Sequence, residues 1–166
     1  MDKILDFFQN PIIYVVIATW LVAQFTKFVI TFLVEKKLRF ERLFGDGGMP
    51  SCHSATVTSL FVLVGWYCGF SSPVFAITFI FSLIVMHDAM GVRRETGKQA
   101  ASIKELAEAV NGIFKEKDKE IRTDKLKELV GHTPLQVFFG IIVGAIVAVA
   151  HILGMKPEYA SLILQI

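Results

Sequence analysis

The chain has 166 residues, of which 54% are hydrophobic, and its formal net charge is only +2. A soluble domain is normally about 45–50% apolar, so this composition favours a membrane protein, and no nucleic-acid partner is expected. Two cysteines are too few for a disulfide framework or a cysteine-rich metal site.

Four apolar runs are long enough to cross a bilayer, which takes about 20 residues. They cover approximately residues 11–34, 53–70, 73–90 and 134–154. The second and third runs are separated by two serines, so they should form a tight hairpin. The pattern predicts an all-α fold: a polytopic membrane helical bundle of about four transmembrane helices, in a single domain over residues 1–166.

Lysine and arginine concentrate in the two polar connections, residues 35–52 and 91–133. The first connection carries four and the second ten, which together are 14 of the 17 in the chain. The positive-inside rule therefore predicts a multi-pass protein of the cell membrane with both connections in the cytoplasm. Both termini would then lie outside.

The longer connection contains a segment with helical periodicity that begins near Glu95. Its apolar positions predict an amphipathic cytoplasmic helix, which lies on the membrane or on the bundle. Residues 115–120 are a charge run typical of a solvated turn, and residues 124–130 favour a second short helix. The apolar positions are Ile103, Leu106, Ala107, Val110, Ile113 and Phe114.

Two of the apolar runs begin at polar motifs that contain a histidine. Ser51 is placed to cap a helix whose first turn holds His53, and a helix N-terminus suits a phosphate. Thr133 and Gln136 fit a capping box, with His132 just before it. Ordinary capping explains either motif alone, but both histidines fall at helix starts on the same membrane face.

Further ionisable residues belong to the same face. Asp88 lies near the end of the third run, where a carboxylate opposes the helix dipole and needs a partner or a task. Arg93 and Arg94 follow closely enough to pair with it, and together with Lys98 they suit either bidentate phosphate binding or anionic lipid. Lys27 is the one charged residue of the first run, which indicates a functional role unless its side chain extends to the headgroups.

Residues 47–55, 88–100 and 131–140 together resemble the divergent PAP2 family, which is related to membrane acid phosphatases and vanadium haloperoxidases. In that superfamily the histidine of a Pro-Ser-Gly-His motif protonates the leaving group. A later histidine attacks phosphorus, and an acidic residue four positions on orients it. The resemblance gives these roles to His53 and His132, with Gln136 standing where the acidic residue is usual.

The resemblance implies a metal-independent lipid phosphatase that needs no cofactor. The substrate would be a phosphate or pyrophosphate monoester of an isoprenyl or diacylglycerol lipid, hydrolysed through a phosphohistidine. Asp88 would then orient His132 in place of Gln136. The expected phosphate-binding residues are Arg93, Arg94, Lys98, Ser51 and Lys27.

The expected partners are the lipid phosphate and the surrounding membrane lipids, and the sequence is also compatible with a homo-oligomer. The alternative is a non-enzymatic lipid-phosphate binder or transporter-like membrane protein. Gln136 favours that alternative, because an amide cannot supply the charge of the superfamily's carboxylate. Turnover of a lipid phosphate separates the two functions.

Overall fold

The computed structural model describes residues 7–36, 47–113, 121–123 and 131–155. This part of the chain is helical and contains no strand, which confirms the predicted all-α membrane bundle. The charge run at 115–120 and the short helix predicted at 124–130 lie outside the described residues. The long helices are α1 (Pro11–Glu35), α2 (Cys52–Cys68), α3 (Pro73–Met90), α4 (Val92–Ile113) and α5 (Pro134–Gly154).

Within the described residues, three helices are long and apolar enough to cross a membrane: α1, α5 and the helix that begins at Pro73. The remaining apolar helix, α2, has 17 residues. At about 1.5 Å per residue it is roughly 25 Å long, shorter than a hydrocarbon core of about 30 Å. The sequence placed its end at residue 70, whereas the helix ends at Cys68 because Gly69 leaves the helical conformation, with φ of 86°.

Side-chain caps fix the starts of the helices. The Ser51 hydroxyl accepts a hydrogen bond from the Ser54 N–H, and Thr133 and Gln136 form a capping box at the start of α5. Proline occupies the first turn of α1, α3 and α5, where its missing N–H costs no hydrogen bond. The predicted caps of α2 and α5 are therefore confirmed.

Small residues allow α2 and α5 to lie in very close contact. A Cβ placed on Gly140 would lie 2.8 Å from the Cβ of Ser54, and one placed on Gly144 would lie 2.9 Å from the Cβ of Thr58. Glycines four residues apart on one helix, facing small residues on the next, are typical of tight packing between membrane helices. Because the two helices run parallel, this contact places their N-termini side by side.

The amphipathic helix predicted from Glu95 is α4, which follows α3 after Gly91. Gly97, Ala100 and Ala107 are its buried residues. Its larger apolar side chains are exposed instead: Ile103, Leu106 and Ile113. Both predicted placements stay predictions, because the exposed apolar side chains suit the membrane and the small buried residues suit the bundle.

Candidate active site

Backbone hydrogen bonds join three helix ends at one end of the bundle. The Ser51 N–H, at the start of α2, donates to the Gln136 carbonyl of α5 over 3.0 Å. The His132 N–H donates to the Ala89 carbonyl, near the end of α3, over 2.9 Å. The two histidine motifs therefore meet in space. The end of α3, which carries the motif with Asp88, joins them there.

The two motif histidines lie against each other. The ring centroids of His53 and His132 are 5.9 Å apart, with an edge-to-face angle of 62° between the ring planes. His132 is buried, with 1% of its surface exposed, whereas His53 is half-buried. Nε2 of His132 is a buried nitrogen with no hydrogen-bond partner among the described residues. A buried polar atom in that position needs an explanation, and a ligand is one.

Lys27 belongs to the same site. Its side chain is 1% exposed, and a Cβ on Gly48 would lie 3.4 Å from its Cγ and Cδ atoms. Gly48 has φ of 100°, so the loop before α2 folds over the lysine stem in a conformation that favours glycine. The side chain therefore stays within the protein, and the snorkelling role considered for Lys27 does not apply.

Charge and burial both act on His132. Burial lowers the pKa of His132, and the nearby Lys27 and His53 lower it further, while the Gln136 side chain and the Gly48 backbone act in the opposite direction. The pKa therefore lies below the ordinary histidine value of about 6.5. A neutral imidazole at neutral pH has the free electron pair that a nucleophile needs.

The arginines begin α4 beside the His132 loop. Gly131, with φ of 96°, lies so close to the Arg93–Arg94 backbone that a Cβ would be 2.6 Å from the Arg94 Cα. Arg93 Nε donates to Asp88 Oδ2 over 2.7 Å in a pair that is about 40% exposed. Arg94 is exposed. These groups form the rim of the site rather than its interior.

The structure gives the partners of three predicted site residues. Asp88 pairs with Arg93, whereas Nδ1 of His132 lies 3.3 Å from Gln136 Oε1, so the position expected for Asp88 is taken by Gln136. Lys98 is exposed and pairs with Glu95 over 2.6 Å. The Ser51 hydroxyl accepts from the Ser54 N–H and hydroxyl at 3.3 and 3.0 Å.

Two contacts of the site were missed at the level of sequence. Gln136 follows His132 by four residues, and the capping box brings its side chain back toward the helix start. That combination of spacing and capping was a usable signal. The second contact joins Cys52 Sγ to Gln24 Oε1 over 3.2 Å. It connects helices far apart in sequence, and no local pattern indicated it.

The Cys52–Gln24 contact also gives the depth of the site. From Gln24, α1 continues for 11 residues to Glu35, about 16 Å at 1.5 Å per residue. The last turn of this stretch exposes Phe32, Leu33 and Val34, apolar side chains suited to lipid. The start of α2, with its histidine, therefore contacts α1 about 16 Å before the end of that helix.

Comparison with known proteins gives the chain a relationship consistent with this site. The sequence profile of the divergent PAP2 family matches residues 8–147. The chain is 42% identical over 134 residues to the uncharacterized membrane protein YuiD of Bacillus subtilis strain 168. The aligned region covers 77% of this chain and 85% of that relative. No solved structure matches the chain.

Proposed function

The chain belongs to the divergent PAP2 family, and on that premise we propose that it is a membrane phosphatase acting on lipid phosphates. The observation that carries the proposal is the buried Nε2 of His132, which has no hydrogen-bond partner in the described part of the chain. It lies in a site that also holds His53 and Lys27. A nucleophile, a proton donor and a cation are what phosphoryl transfer through a phosphohistidine requires.

In the proposed reaction, Nε2 of His132 attacks phosphorus in line with the departing oxygen. The new N–P bond forms as the P–O bond to the lipid breaks, and protonated His53 gives its proton to the lipid oxygen. A water molecule then attacks the phosphohistidine. The P–N bond breaks, a proton from the water returns to His53, and inorganic phosphate leaves.

Charge at the site supports the transition state. The Lys27 ammonium is buried beside His132, and the N-termini of α2 and α5 lie side by side. These positive groups suit the equatorial oxygens of a transferring phosphoryl group. Arg93 and Arg94 lie at the rim and suit the approach of an anionic headgroup, and Lys98 lies further out in its pair with Glu95.

Depth supports a lipid as the substrate. The site contacts α1 about 16 Å before the apolar end of that helix, and α2 is shorter than a bilayer core is thick. A phosphate attached to a lipid tail reaches such a site from within the membrane, while a water-soluble phosphomonoester must leave water without an apolar tail to compensate.

The alternative function is binding or transport of a lipid phosphate without turnover. Gln136 favours it, because a neutral amide at Nδ1 of His132 stabilises the imidazolium less than a carboxylate does. Release of phosphate distinguishes the two functions.

We expect purified protein in detergent to hydrolyse phosphatidic acid or a long isoprenyl diphosphate, with kcat/KM at least about tenfold above that for glycerol 3-phosphate. We also expect turnover to survive EDTA, because the described residues contain no cluster of three or more histidine, cysteine or acidic groups. The measurement is inorganic phosphate release. Tight lipid binding without release would favour the alternative, and rescue of an EDTA-treated sample by Mg²⁺ would contradict the metal-independent mechanism.

The charge distribution predicts that the site faces the cytoplasm and that Cys68 lies toward the outside. Cys68 is exposed and Cys52 is buried, so a membrane-impermeant maleimide should label the protein on intact cells at Cys68 only. A cysteine at the exposed Ser71, in a Cys68→Ser background, is the control for access to that side. Labelling of both positions only after the cells are opened would place the site on the outer face.

A further inference from the structure

The amide of Gln136 makes two contacts through one oxygen. Oε1 lies 3.0 Å from the Thr133 backbone nitrogen and 3.3 Å from Nδ1 of His132. The Thr133 hydroxyl in turn accepts from the Gln136 N–H over 3.3 Å. The same side chain therefore closes the capping box of α5 and contacts the buried histidine.

The first of these contacts determines the second. The oxygen and nitrogen of a glutamine amide are usually assigned from their hydrogen-bond partners. Here the Thr133 N–H can only donate, so the amide atom that faces it must be the oxygen. An oxygen facing Nδ1 requires that Nδ1 carry the hydrogen, which leaves Nε2 as the ring nitrogen with a free electron pair.

We infer that Gln136 is a positioning residue that holds His132 in the tautomer protonated at Nδ1, and so presents Nε2 as the nucleophile. The assignment of Nε2 as nucleophile rests on the proposed function, but the tautomer does not. On this inference, the capping box keeps an amide oxygen where the superfamily has a carboxylate. Gln136 then orients His132 as the carboxylate does in the superfamily, but without the negative charge of a carboxylate.

The charged groups near His132 disfavour a positive ring, whereas the Gln136 side chain and the Gly48 backbone favour one, and burial makes the lower pKa prevail. Lys27 approaches from α1 and His53 from α2, and both disfavour a second positive charge. On the side of α3 and α4, Asp88 is paired with Arg93. With a neutral partner at Nδ1 and a pKa lowered by burial, His132 favours the form that is deprotonated at Nε2, which is the reactive form.

The competing explanation is that Gln136 only caps α5. Thr133→Ala is the matched control, because it removes the cap hydroxyl that accepts the Gln136 N–H while leaving the contact between Oε1 and His132. Gln136→Met removes the acceptor at nearly unchanged length. Gln136→Glu keeps the acceptor and adds charge.

The test is the ¹⁵N NMR spectrum of histidine-labelled protein in detergent, with the His132 signals identified by their loss in His132→Ala, together with kcat, KM and the pH profile. The parent protein should show Nδ1 protonated and Nε2 unprotonated. Gln136→Met should lose this preference and lower kcat at least tenfold with little change in KM. Gln136→Glu should keep the tautomer, retain or raise kcat, and move the acid limb of the pH profile to higher pH.

Thr133→Ala should lower the thermal midpoint and leave the tautomer and the pH profile unchanged. The inference is overturned if His132 in the parent protein is protonated at Nε2, or if Gln136→Met leaves both the spectrum and kcat unchanged. If Gln136→Met does not fold, the parent spectrum and Gln136→Glu still decide. If the protein shows the predicted tautomer but hydrolyses none of the lipid phosphates, the proposed function is overturned and the inference about the tautomer stands.

Discussion

His132→Ala is expected to reduce turnover of a lipid phosphate by at least about a thousandfold, because it removes the atom that forms the N–P bond. The fold should survive, since the remaining Thr133–Gln136 capping box still begins α5. The measurement is the single-turnover rate of phosphate release by the purified variant. A parallel assay with ³²P-labelled lipid should show a phosphoenzyme in the parent protein that is stable in alkali and lost in acid.

His87→Ala is the matched control for this variant. His87 is exposed on α3 and belongs to no part of the proposed site, so its loss should leave the rate unchanged. Labelled phosphoenzyme in His132→Ala at parent levels would show that another residue is the nucleophile.

His53 contributes to the same result through the leaving group. Hydrolysis of a lipid monophosphate expels an alkoxide, whereas hydrolysis of a lipid diphosphate expels a lipid monophosphate. The alkoxide is the poorer leaving group, so it needs the proton more. His53→Ala should therefore slow the monophosphate substrate more than the diphosphate. Equal losses on both substrates would assign His53 to a role other than proton donor.

Lys27→Met is expected to lower kcat/KM by about a hundredfold or more, the usual effect of losing one preorganised group that stabilises transition-state charge. Lys27 is buried beside His132, so its charge acts where water screens it little. Vanadate mimics pentacoordinate phosphorus, and its inhibition constant should rise by a similar factor. The measurement compares kcat/KM and the vanadate inhibition constant for the parent and the variant.

Lys36→Met provides the same substitution at the exposed end of the same helix. It should change neither quantity by more than about twofold, because exposed charges interact weakly through water. An equal loss in both variants would mean that total positive charge, and not the buried ammonium, attracts the substrate. An unchanged vanadate constant in Lys27→Met would remove Lys27 from the phosphate site.

Local features of the sequence determined the helices and their starts. The predicted ranges 73–90 and 134–154 agree with α3 and α5, and the first run differs from α1 by one residue. Apolar length and caps such as Ser51 act over a few neighbouring residues, so they can be read along the chain. The two histidine motifs at helix starts followed from the same local information.

Tertiary structure decided which of the candidate residues meet. Gly140 and Gly144 bring α5 against α2, and this contact, together with the Ser51–Gln136 backbone hydrogen bond, places His132 beside His53. The sequence left Lys27 with two explanations, a functional role or extension to the headgroups. The loop at Gly48 folds over its side chain and makes it a buried part of the site. Such contacts depend on how each helix is rotated about its axis and how closely its neighbours approach, and hydropathy encodes neither.

The partner of His132 was decided in the same way. Sequence alone favoured Asp88 as the partner of His132, because Asp88 carries the charge that the superfamily uses. In the structure Asp88 pairs with Arg93, and Gln136 contacts Nδ1 of His132. A carboxylate near a helix end bonds whichever cation its geometry reaches, while the capping box fixes the amide next to the ring. The chain thus encoded the residue types of the site locally, but only the packing of the helices determined their pairing and their depth.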